Sequence, residues 1–158
     1  FVKVIKMYEL NLPTYDFRVK KENGQTSIFD DIRKKFVALT PEEWVRQHVM
    51  HFLIEQKHYP ASLINVEVAM TINTMSRRAD MVCYDSKGNV LLVVECKAPQ
   101  VKISQTVFEQ IAQYNMMLKS RYLLVTNGLQ HFICKINHEE KSYKFLQDIP
   151  DYNDLQIE

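Results

Sequence analysis

Residues 90–94 read Val-Leu-Leu-Val-Val, and this unbroken apolar run passes directly into Glu95, Cys96 and Lys97 before Pro99 ends the segment. A strand points successive side chains to opposite faces. An unbroken apolar run therefore suits an interior strand covered on both sides. The preceding segment, "RRADMVCYD", has the same character at its centre and is joined to it by "SKGN". Two adjacent interior strands imply a sheet with packing layers on each face. They also place a carboxylate and an ammonium at the end of a buried strand, where charged groups need partners.

The remaining elements follow from periodicity. In "TPEEWVRQHVMHFLIEQ", Thr40 is an N-cap, Pro41 the first helical residue and Glu43 the acid of a capping box. Val45, Val49, Phe52 and Leu53 form its apolar stripe. "LINVEVAMTI" alternates Ile64, Val66, Val68, Met70 and Ile72 with polar or small residues, the pattern of a half-buried strand. "SQTVFEQIAQYNMMLKS" predicts a helix over about 104–120, with Val107, Ile111, Tyr114 and Leu118 in register. "RYLLVTNG", "HFICKI" and "SYKFL" read as further strands, and Asn23-Gly24 as a hairpin turn in an otherwise weakly patterned opening segment. The expected fold class is α/β: an αβββαβ core, a mixed sheet flanked by helices. In it the strand after the long helix runs parallel to the strand before that helix. The length suits one domain over 1–158, with 1–30 as an N-terminal extension and 40–136 as the core.

The charged strand end acquires a chemistry once register is considered. With Ser86–Asn89 as a four-residue hairpin loop, Asp85 faces Val90 and Asp80 falls opposite Glu95. Directly opposed residues share a face, with Cβ atoms roughly 4.5–5.5 Å apart. Lys97 lies on that face too, two residues beyond Glu95. Opposed carboxylates repel, and a divalent cation reverses the sign. Mg²⁺ is commonly held by one or two carboxylates with waters and a substrate phosphate. Such an ion acidifies water and polarises a phosphoryl oxygen, while a nearby lysine positions water or offsets charge in the transition state. This reading points to metal-assisted phosphodiester hydrolysis. The competing reading of Glu-x-Lys is an ordinary solvated ion pair.

Composition bounds the partners. A formal net charge of +1 lacks the basic excess of non-specific nucleic-acid binders, although a locally basic groove remains compatible with it. The three glycines leave no glycine-rich phosphate loop, so no nucleotide site is expected. Cys83, Cys96 and Cys134 sit in apolar runs and read as reduced core thiols of a cytoplasmic protein. His48 and His51 read as partly exposed helix histidines rather than a zinc pair. No apolar run has membrane-spanning length, and charges interrupt "FVKVIKMYELNLP" as a leader.

Asp80 followed by Glu95-Cys96-Lys97 resembles the D…(D/E)-x-K signature of the restriction-endonuclease-like nuclease superfamily. Gln110-Ile111-Ala112-Gln113-Tyr114 resembles the Q-x-x-x-Y motif of RecB-type nucleases and of the R subunits of type I restriction enzymes. "FDDIRKKFVALTPEEWVRQH" is similar to the segment opening the N-terminal nuclease domain of R-protein-like chains. The likeness spans roughly residues 28–136. It implies Asp80 and Glu95 as metal ligands and Lys97 as the catalytic lysine. Gln110 and Tyr114, on one helix face, are implied as DNA contacts or site support. It also implies a helix glutamate reaching the metal. Glu42, three and seven residues before Val45 and Val49, is preferred to Glu43, although an ion pair of Glu42 with Arg46 is an equal alternative. Arg78, on the Asp80 face, is a candidate phosphate contact. The family's Pro before the Asp is Ala79 here. The implied activity is a Mg²⁺-dependent, Mn²⁺-tolerant DNA endonuclease. Its implied context is a DNA-translocating motor in the same full-length chain, with methyltransferase and specificity subunits. The alternative is a non-catalytic DNA-binding or assembly module of the same fold.

Overall fold

The computed structural model describes residues 7–155, the Ile72 side chain excepted. The ends of the expected 1–158 domain, and the first residues of the segment tested as a leader, lie outside the described residues. A three-stranded antiparallel sheet comes first: β1 (Val19–Glu22), β2 (Gln25–Asp30) and β3 (Lys35–Ala38). Asn23 and Gly24, at φ 50° and 77°, close the β1–β2 hairpin between the paired Glu22 and Gln25. A two-residue primed turn needs this left-handed geometry. The sequence pattern did not announce β3.

Helix α1 (Pro41–Glu55) leads through a 3-10 turn to a six-stranded sheet of β4 (Ile64–Ile72), β5 (Met75–Tyr84), β6 (Val90–Cys96), β7 (Tyr122–Thr126), β8 (His131–Asn137) and β9 (Ser142–Phe145), ordered as in sequence. Helix α2 (Gln105–Met117) joins β6 to β7, the parallel pair, and the other neighbours are antiparallel. A short helix, α3 (Tyr152–Leu155), follows. This is the expected mixed α/β architecture with an αβββαβ core. No helix among the described residues is long and apolar enough to cross a membrane.

The apolar run of β6 is covered on both faces. Leu92, Val94 and Cys96 join Val45, Val49 and Leu53 of α1 in one buried cluster. Val93 points the other way and packs with Phe108 and Ala112 of α2 in a second. Each fully buried Val or Leu contributes roughly 1.5–3 kcal/mol. That stabilisation lets the strand carry Glu95 and Lys97 at its end.

Three local features depart from the sequence reading. The β5–β6 turn is one residue longer than expected, because Tyr84 rather than Asp85 pairs with Val90. The Asp85 carboxylate instead accepts from the Lys87 and Asn89 backbone N–H groups, each at 2.8 Å. A bulge between Cys83 and Tyr84 absorbs the extra residue, so Cys83↔Leu92, Val82↔Val93 and Met81↔Val94 keep the expected register. Second, β4 does not present one continuous apolar face. Ile64 and Val66 pack on the α1 side, whereas Val68 and Met70 pack on the α2 side. Glu67 lies between them with φ 53°, a left-handed conformation rare for such a residue, and it flips the alternation. Third, α1 is buried almost all round from Glu43 to Met50. The N-terminal arm covers its outer side, with the Phe17 ring 5.7 Å from Trp44 and 4.8 Å from His48. His48 is thus buried rather than partly exposed. Its Nδ1 lies 2.7 Å from the Trp44 carbonyl oxygen, and burial lowers its pKa.

Candidate active site

The strand ends bring the predicted acids together. The β5–β6 pairing ends at Met81↔Val94, and the next residues on the two strands are Asp80 and Glu95. Asp80 Oδ2 accepts the Cys96 backbone N–H at 2.7 Å, which ties the β5 carboxylate to β6. The Glu95 carboxyl is hydrogen-bonded to Asp80, and burial first, then the Asp80 charge, pushes it up to about 8. Glu95 is therefore held toward its protonated form. Lys97 follows directly. Its backbone N–H donates to the Thr126 carbonyl at 2.8 Å, and its charge acts on Glu95 and on Glu42.

Helix α1 enters the site by its first turn. Thr40 Oγ1 accepts the Glu43 N–H at 3.1 Å, so the N-cap forms as expected. The Glu43 carboxylate has other bonds: it pairs with Arg33 and, at 2.5 Å, with Arg46 Nε. Glu42 was expected on the core-facing stripe, but it is exposed while Glu43 is buried. The cause is a helix packed on several sides at once, which makes a single-stripe count unreliable. Glu42 nonetheless faces the site. Partial burial and the Asp80 charge raise its pKa, and Arg46 and Lys97 oppose that rise.

Arg46, 7% exposed, was visible in the sequence only as a possible partner of Glu42. In the fold its guanidinium spans Glu43, Glu67 at 3.3 Å and Asp80 at 3.4 Å. Glu67 lies in register opposite Asp80, between the pairs Val66↔Met81 and Val68↔Ala79. Arg33 extends the network from Glu43 to Asp30, whose Oδ2 also accepts from Gln47 Nε2 at 2.8 Å. Of these, the Glu43–Arg46 spacing of three was the signal available to sequence reasoning. The Gln47–Asp30, Arg46–Glu67 and Arg46–Asp80 contacts span 17 to 34 positions and left none.

On α2, Tyr114 reaches the site and Gln110 stays exposed one turn earlier. The Tyr114 hydroxyl is buried without a hydrogen-bond partner in the protein. Burial raises its pKa; Arg77 opposes this and Glu95 adds to it. The Arg77 guanidinium stacks over the Tyr114 ring, 4.7 Å from its centroid. Arg78 is largely exposed, with Nη1 3.7 Å from Glu67.

The donors suit a hard divalent cation. They are the carboxylate oxygens of Asp80, Glu95 and Glu42, whereas Glu67 is already engaged by Arg33, Arg46 and Arg78. Among the described residues, no group of three or more His, Cys, Asp or Glu converges as a ready-made metal cage. Asp80 and Glu95 are the residues that could hold a divalent cation, and such an ion would need water and phosphate to complete its coordination.

Comparison with known proteins gives the chain a family. The family profile described as Type I restriction enzyme R protein N terminus (HSDR_N) matches residues 41–150, which hold Glu42, Asp80, Glu95, Lys97, Gln110 and Tyr114. No curated protein matches the chain. Among solved structures, a fragment assigned to an HsdR subunit of a type I restriction enzyme from Vibrio vulnificus YJ016 is similar, with a TM-score of 0.51 and 18% identity. The match covers 74% of this chain and 24% of that one, so the chain spans about a quarter of that fragment's length. A protein from Anabaena variabilis ATCC 29413 assigned as a DUF820 nuclease also aligns. Its TM-score is 0.45 at 10% identity, covering 82% of this chain and 80% of that one. With the family profile spanning well over half of its residues, the chain belongs to the type I restriction enzyme R protein N-terminal family.

Proposed function

We infer that the chain is a divalent-metal-dependent DNA endonuclease domain of the type I restriction R-protein kind. The observation that carries this reading is Asp80 at the end of β5, held by the Cys96 N–H at 2.7 Å and by Arg46, beside the β6 strand end that carries Glu95 and Lys97. Asp80 and Glu95 would hold Mg²⁺, or Mn²⁺, with Glu42 at the open side. The bound ion supplies polarisation of a phosphoryl oxygen and acidification of water. Asp80 is pre-set for this role because the Cys96 N–H and Arg46 fix both of its oxygens. Lys97 orients the attacking water and opposes the negative charge that grows on the phosphate. Tyr114 offers its unpartnered hydroxyl to the same cleft, and Gln110 contacts DNA from the exposed helix face. In this reading the full-length protein is cytoplasmic. It carries a DNA-translocating motor and works with methylation and specificity subunits.

The test is nicking of supercoiled plasmid in Mg²⁺ and in Mn²⁺ at low salt. Lys97→Ala should abolish nicking while changing duplex affinity only slightly, because one phosphate contact among several contributes modestly. Equal nicking by wild type and Lys97→Ala overturns the assignment. Absence of nicking in both this chain and its full-length protein replaces it with the non-catalytic binding module.

A further inference from the structure

The β4–β5 hairpin outruns the sheet to which it belongs. Pairing of β5 with β6 stops at Met81, whereas pairing of β4 with β5 continues from Val68↔Ala79 to Ile72↔Met75. The result is a two-stranded ribbon on the order of 15 Å long, at about 3.4 Å per residue. Its composition differs from the rest of the chain. Residues 68–79 contain Arg77 and Arg78 and no acidic residue, in a protein whose overall formal charge is +1.

The ribbon is anchored on one side and open on the other. Val68, Met70 and Ala79 pack on the α2 side, and Arg77 stacks on Tyr114. The phase flip at Glu67 produces this anchoring: without it, these apolar residues would continue on the α1 side. On the open side Ala69 pairs with Arg78 and Thr71 with Ser76, all exposed. This small, polar strip carries one cation, Arg78, whose exposed guanidinium lies 3.7 Å from Glu67 at its base, and it runs outward from there.

Resting on the nuclease reading above, we propose that the β4–β5 ribbon is the DNA-docking arm of this domain. It lies against duplex DNA next to the scissile phosphate, with Arg78 on a backbone phosphate. A two-stranded ribbon fits the major groove of B-DNA, and small side chains on its open side allow close approach. The carboxylates at its base, paired with arginines, offer phosphates no attraction of their own, and Arg78 on the ribbon supplies it.

The experiment is fluorescence anisotropy of a short labelled duplex against the 158-residue chain, with Ca²⁺ and with EDTA, across a salt series. Arg78→Glu and Thr71→Glu, exposed and on different strands, should each weaken binding about tenfold at low salt. Arg78→Ala should lower the log–log salt slope by about 1. All three should leave the melting temperature unchanged. Lys144→Glu, exposed on the opposite sheet edge, should alter affinity less than about threefold and controls for non-specific charge. If wild type binds and the ribbon variants bind as tightly as the Lys144 control, the ribbon inference is overturned while the nuclease reading stands. If wild type binds no duplex at low salt in either condition, both are overturned.

Discussion

Replacing Glu95 by Gln in metal-free protein tests the electrostatics at the centre of the site. A Glu carboxyl ordinarily titrates at 4.5; burial, the Asp80 charge and the Asp80 hydrogen bond push Glu95 up to about 8. The unfolded chain therefore releases this proton near 4.5 and the folded chain only near 8. Stability from the protonated form is fully present below about pH 4.5 and is lost as pH rises toward 8, because the folded state binds more protons across that window. At about 1.36 kcal/mol per pKa unit, the interval sets a ceiling of roughly 5 kcal/mol. Solvent at the cleft mouth relaxes part of the cost, leaving an expected effect of about 2 kcal/mol. Gln imitates the protonated carboxyl and keeps a donor toward Asp80 at every pH. Thermal melts in EDTA should show Glu95→Gln within about 1 °C of wild type near pH 5, and about 4–8 °C more stable near pH 8.5. Parallel pH profiles of the two proteins would refute the reasoning. Adding Mg²⁺ at about pH 8 should raise the melting temperature of wild type and not of the variant, since only a site with both carboxylates gains by mass action.

Arg46→Met keeps the aliphatic length of the side chain while removing the guanidinium that bridges Glu43, Glu67 and Asp80. Removing one partner from a buried ion network should cost about 3 kcal/mol in urea unfolding, and a change below about 0.5 kcal/mol would show that the network contributes nothing net. Gly128→Ala should also destabilise. Gly128 has φ 84°, and a Cβ there would meet Leu10 Cδ2 at 2.7 Å. The strain, about 1–2 kcal/mol, should appear as faster proteolysis of the N-terminal arm, whose Asn11 N–H donates to the Gly128 carbonyl.

Sequence by itself determined the parts of this protein governed by short-range rules. Thr40 caps α1 and Asn23-Gly24 turns the first hairpin because both depend on neighbouring backbone groups alone. The apolar run of β6 required cover on both faces, and it has it. The Asp80–Glu95 alignment was legible from the period of two. The register leading up to it, as far as Met81↔Val94, held even though the loop was a residue longer than expected, because the bulge after Cys83 restored it. Tertiary structure decided what depends on several elements at once. Glu42 is exposed and Glu43 buried because α1 packs between the sheet and the N-terminal arm. Arg46 reaches Asp80 across 34 positions, an approach that no local pattern encodes. Glu67 takes a left-handed conformation that flips the alternation of β4. A periodic apolar pattern cannot reveal this flip, since Ile64, Val66, Val68 and Met70 read alike whether they face one cluster or two.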